Sequence, residues 1–134
     1  MPSHADIDLL VYAINGAVAP YLLKNDGSGV FSTSADTAIA TITTVMYAAF
    51  GDVDGDGDQD LIVLTGDGCR NKYLTNDGTG TFTDVSGSPI SIGTNSASGA
   101  SRSVSIVDID GDGGERNCLC FAHNSFVALL SLLL

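Results

Sequence analysis

Basic side chains are scarce in this sequence: Lys and Arg number 5 against 16 Asp and Glu, for a formal net charge of -11 over 134 residues. A surface so acidic repels phosphate backbones and anionic membranes and attracts cations, which excludes a nucleic-acid reader. The cysteines, Cys69, Cys118 and Cys120, are odd in number and two of them are one residue apart. They make no disulfide framework and disclose no redox compartment. No apolar run approaches the roughly 20 residues of a membrane-spanning helix, and the apolar end at 126–134 is far shorter. The opening MPSHADIDLL has neither a basic leader nor an apolar stretch before a cleavage site, so no secretory signal is expected in it.

Catalytic equipment is equally sparse. The 2 histidines, His4 and His123, lie near the two ends, so no Ser or Cys has an evident base beside it. The glycines form no G-x-x-x-x-G-K phosphate cradle. A non-enzymatic protein is expected.

What is present is a hydrophobic share of 44%, enough for a core, and many Thr, Ser, Val and Ile residues punctuated by 16 glycines against 3 prolines. That balance predicts an all-β chain of short strands joined by glycine turns. The segments are also repetitive. HADIDLLVY at 4–12 aligns with GDQDLIVL at 57–64, YLLKNDGSGVF at 21–31 with KYLTNDGTGTF at 72–82, and AAFGDVDGDGD at 48–58 with SIVDIDGDGG at 105–114. One unit thus recurs about every 51 to 56 residues.

The most complete unit predicts four strands, at 45–51, 60–65, 71–74 and 80–85. An Asp-rich loop, GDGC and NDGTG connect them, the last two rich in residues that tolerate tight hairpin turns. A four-stranded antiparallel unit at this period is the pattern of a β-propeller blade. The expected organisation is a partial blade with its connection at 1–44, a complete blade and linker at 45–102, and the start of a further blade at 103–134. Residues 32–44 and 86–103 are read as surface connections. A ring needs about four to eight blades, so the chain is expected to be a piece of a propeller.

The acid clusters where chemistry is expected. Asp52, Asp54, Asp56, Gly57, Asp58 and Asp60 match D-x-D-x-D-G-x-x-D. Calcium takes about six to eight hard oxygens; carboxylates at alternate positions converge when such a loop curls, and a glycine at position 6 permits the bend. Asp58 is expected to contribute its backbone carbonyl, and Asp60 to close the cage. Magnesium suits the loop less well, since it prefers a smaller octahedral shell and keeps several waters. An EF-hand would need a glutamate at position 12 between helices, whereas Val63 stands there within the strand-like LIVL.

A calcium loop joining two strands, preceded by Phe50-Gly51 and followed by DLIVL, resembles the FG-GAP or VCBS-type repeat family, which includes the propeller of integrin α subunits. The resemblance covers roughly residues 6–113. It implies a calcium-stabilised propeller module, generally extracellular or at the cell surface, serving adhesion or the binding of a protein or carbohydrate ligand. It also implies Asp52, Asp54, Asp56, Asp58 and Asp60 as the metal-binding positions, with an ion that serves the fold. The alternatives are a piece of a propeller lyase or hydrolase, and a lectin-like unit whose copies self-associate into a ring through exposed blade faces.

The pattern weakens at both ends. Asp108, Asp110 and Asp112 begin a second, incomplete calcium loop in which Arg116 takes position 9. The strand expected after it is replaced by NCLCFAHNSFVALLSLLL, which reads as a shifted frame or a mistaken boundary. Cys118, Cys120 and His123 match no common zinc spacing and lack a fourth ligand. Asp6 and Asp8 occupy positions 7 and 9 of a first loop whose earlier ligands are missing.

Overall fold

The computed structural model describes residues 8–14, 18–66, 71–85, 101–107, 117–122 and 127–131. They form three antiparallel sheets. The first contains β1 (Leu9–Val11), β2 (Tyr21–Asn25) and β3 (Phe31–Thr33); a short helix, α1 (Thr37–Ala40), follows. The second is a four-stranded meander of β4 (Val45–Gly51), β5 (Asp60–Thr65), β6 (Lys72–Asn76) and β7 (Phe82–Asp84), each strand beside its neighbour in sequence. The third contains β8 (Ser101–Val107), β9 (Asn117–Ala122) and β10 (Val127–Ser131). Among the described residues no helix is long and apolar enough to cross a membrane.

The middle sheet carries the two best-patterned strands, β4 and β5, at the bounds expected from the sequence. All six residues of β5 are buried. Leu61 and Val63 point into a cluster with Leu22, Ile39, Ile42, Val45, Leu74 and Phe82, which joins the first sheet to the second. Ile62 and Leu64 alternate onto the opposite face, beside β8. The middle of the strand is covered on both faces, and Leu61–Leu64 is therefore a continuous apolar run rather than an alternating one, with the buried polar residues Asp60 and Thr65 at its two ends.

Two expectations are corrected here. Residues 32–44 are not merely a surface connection: most of them are exposed, but they also finish β3, form α1 and bury Ile39 and Ile42 in the core. Asp36 makes this possible by accepting the Ile39 N–H through Oδ1 at 3.0 Å as the helix cap, while its Oδ2 accepts the Phe82 N–H at 2.7 Å. Nor does the strand pattern stop after Gly113. Residues of the atypical tail pair as β9 and β10, with Leu119 opposite Ser105 on one side and Leu129 on the other. Apolar segments separated by HNSF meet the requirements of a hairpin even where the repeat's own motif is lost.

Candidate metal centre

The Asp-rich loop spans the gap between β4 and β5, whose last ladder pair is Gly51 with Asp60. Its own backbone shapes it. Asp52 accepts the Gly55 N–H through Oδ1 at 2.8 Å and the Gly57 N–H through Oδ2 at 3.0 Å. Asp54 Oδ1 accepts from the Asp56 amide at 3.2 Å, and Asp56 Oδ1 from the Asp58 amide at 2.9 Å. These short bonds are the local alternative that Asp offers the backbone, and they curl the chain without a regular element. Gly55 and Gly57 hold φ of 82° and 94°, the left-handed region that the reversal requires.

The curl gathers three of the five expected positions. Asp52, Asp54 and Asp60 each offer a carboxylate oxygen within 4.8 Å of the others. Asp60 is fully buried, Asp52 partly buried and Asp54 exposed. Asp56 lies outside this trio, exposed, with an oxygen turned to the Asp58 amide. The Asp58 side chain also lies outside it and rests against Gly78 of the next hairpin, where a Cβ on that glycine would meet Asp58 Oδ2 at 2.6 Å. Asp108, Asp110 and Asp112 fall outside the described residues, as do Cys69 and His123. Cys118 and Cys120 sit on β9, opposite Ile106 and Val104.

Asp60 is the best-held member. Its Oδ2 accepts the Val53 N–H at 3.1 Å and the Tyr73 O–H at 2.9 Å, and its Oδ1 accepts the Asn76 N–H at 3.0 Å. Burial, and then the bond to Asp60, push the Tyr73 phenol well above its ordinary 10.0, so the hydroxyl stays a donor. Desolvation, and then the charge of Asp60, raise the Asp54 carboxyl above its ordinary range. Like charges confined this closely carry a cost that a cation relieves. Three hard carboxylates on one loop suit an oxygen-seeking divalent ion such as calcium, with Asp52, Asp54 and Asp60 as the side chains to hold it.

The first sheet repeats the same construction in reduced form. Asn25 donates its N–H to Asp8 Oδ1 at 2.9 Å, as Asn76 does to Asp60. In both units the Asn side chain then closes the hairpin, accepting from Gly27 and Gly29 in one and from Gly78 and Gly80 in the other. In the sequence, NDG is a turn signal alone. The structure adds a second duty, tethering the aspartate that ends the acidic loop, and the near-equal spacing of Asp and Asn in both units is the signal that would have disclosed it.

Comparison with protein families matches the FG-GAP-like repeat twice, over residues 5–63 and 52–114. The chain belongs to the FG-GAP-like repeat family. Each matched copy runs from one acidic segment through the following strands to the next, which is the period seen in the sequence. Of the FG-GAP signature, Phe50 packs on the core and lies 6.3 Å, ring to ring, from Phe82, and Gly51 lies where β4 approaches Ile106 of β8. No curated protein and no solved structure gives a significant match to the chain.

Proposed function

We propose that this FG-GAP repeat module binds calcium in the loop at 52–60 and uses the ion to stabilise the loop and the strands that flank it within one blade of a β-propeller. The observation that carries the reading is the convergence of Asp52, Asp54 and Asp60 between β4 and β5. The ion's place in the fold supports a structural role. Asp60 is anchored to the Val53 amide at the loop's start and to Tyr73 and Asn76 of β6, so a cation at the trio ties the loop to β5 and β6. The module is read as non-enzymatic, and as an extracellular or cell-surface scaffold for adhesion or ligand binding, because millimolar external calcium suits such loops.

Calorimetric titration with calcium tests the proposal. One saturable site in the wild type that disappears in Asp52→Ala supports it, and a wild type that takes up no calcium at millimolar concentration refutes it.

A further inference from the structure

Asp60 has one coordinating position left to give. A carboxylate offers about two lone pairs on each oxygen. On Oδ2 both are taken, by the Val53 N–H at 3.1 Å and the Tyr73 O–H at 2.9 Å, whereas Oδ1 has accepted only the Asn76 N–H at 3.0 Å. Tyr73 reaches Oδ2 because it pairs with Ile62 across β5 and β6, which places it on the sheet face that carries Asp60. Both residues are buried, so no solvent competes for the bond.

The first unit supplies an internal contrast. Leu10 pairs with Leu22 where Ile62 pairs with Tyr73. The aspartate and its Asn amide partner are kept there as Asp8 and Asn25, yet the hydroxyl is missing. The hydroxyl accompanies the unit with a full set of acidic positions, and the tether to Asn does not distinguish the two.

We infer that Tyr73 is a positioning residue of the metal site: its hydroxyl, with the Val53 amide, occupies Oδ2 and turns Asp60 so that only Oδ1 faces the ion. This inference rests on the reading of the loop as a calcium site. Loss of the hydroxyl leaves a buried oxygen half satisfied and lets the carboxylate rotate away from its aimed position. Groups that orient metal ligands in this way change affinity by about 10–100-fold when removed.

The test is calcium calorimetry on wild type, Tyr73→Phe and Tyr47→Phe, joined to terbium luminescence. The chain has 4 Tyr and no Trp, so terbium in the loop is sensitised by tyrosine, and Tyr73 is one carboxylate away. Tyr73→Phe is expected to raise the calcium Kd about 10–100-fold and to abolish tyrosine-excited terbium emission at saturating terbium, while Tyr47→Phe changes neither. A triple variant, Tyr12→Phe, Tyr21→Phe and Tyr47→Phe, keeps Tyr73 as sole sensitiser and is expected to retain the emission even if Tyr73→Phe does not fold. Unchanged affinity in Tyr73→Phe, or lost emission in the triple variant, overturns the inference. A wild type that binds neither ion overturns the calcium reading itself, an outcome distinct from a normal wild type with an indifferent Tyr73→Phe.

Discussion

Ile106 packs directly over Gly51. A Cβ built on that glycine would stand 2.7 Å from Ile106 Cγ2 and 2.8 Å from its Cδ1, so β4 and β8 approach closely because residue 51 has no side chain. This contact joins the middle sheet to the third. The same glycine pairs with Asp60 across the ladder, so this close approach of the sheets borders the acidic loop.

Gly51→Ala is expected to destabilise the fold by about 1–3 kcal/mol, the usual range for overpacking a core. Urea unfolding measures it. The cost of the double variant Gly51→Ala/Ile106→Ala should fall short of the two single costs added together, because removing the isoleucine branch makes room for the new methyl. Strict additivity would show that the two residues do not meet.

Asp36 is expected to be worth more than an ordinary helix cap, since one carboxylate serves both α1 and the Phe82 amide of another sheet. Asp36→Ala removes the cap and leaves a half-buried amide without its acceptor, a combined loss of about 2–4 kcal/mol. Asp36→Asn keeps one good acceptor in place of two and should lose less. Chemical denaturation of the three proteins ranks them.

Two hairpin aspartates set an acid limit on stability. The Ser28 hydroxyl holds the Asp26 carboxyl below its ordinary 3.8, and the Thr79 hydroxyl does the same for Asp77. A depressed value in the folded state means that the unfolded chain takes up protons first. The contribution is therefore present above 3.8 and is lost as pH falls through the lower folded values. Replacing both by Asn should flatten the loss of stability below that pH, followed by circular dichroism in an acid titration. An unchanged acid limb would contradict the assignment.

Within the acidic loop the side chains should separate by geometry. Asp54→Ala removes a member of the converging trio and should weaken calcium binding by more than about tenfold, beyond the smallest losses seen for outer-shell groups. Asp58→Asn, whose side chain rests on Gly78, should stay within about threefold of wild type, well short of such losses. Calorimetry compares them directly.

Much of this was legible in the sequence because the signals are local. The D-x-D-x-D-G-x-x-D register, the apolar run from Leu61 to Leu64 and the paired NDG turns each lie within a few consecutive residues, and β4 and β5 emerge at the expected bounds. What escaped depends on distant partners. The helix at Thr37–Ala40 is too short to show a period, and its cap earns its place through Phe82, 46 positions away. The duty of Tyr73 requires the β5–β6 register, which no local pattern discloses. The tail departs from the repeat, so β9 and β10 do not follow from the repeat's own motif.

The central claim, that an ion at Asp52, Asp54 and Asp60 stabilises the fold, is tested most directly by thermal unfolding in chelator and in calcium. An ion that binds only the folded state adds stability in proportion to the logarithm of its excess, about 2.7 kcal/mol at a hundredfold excess over Kd. The account predicts that calcium raises the wild-type Tm by several degrees, that magnesium at the same concentration raises it less, and that Asp52→Ala/Asp54→Ala melts alike in chelator and calcium. A wild type whose Tm is the same in chelator and in millimolar calcium would contradict it.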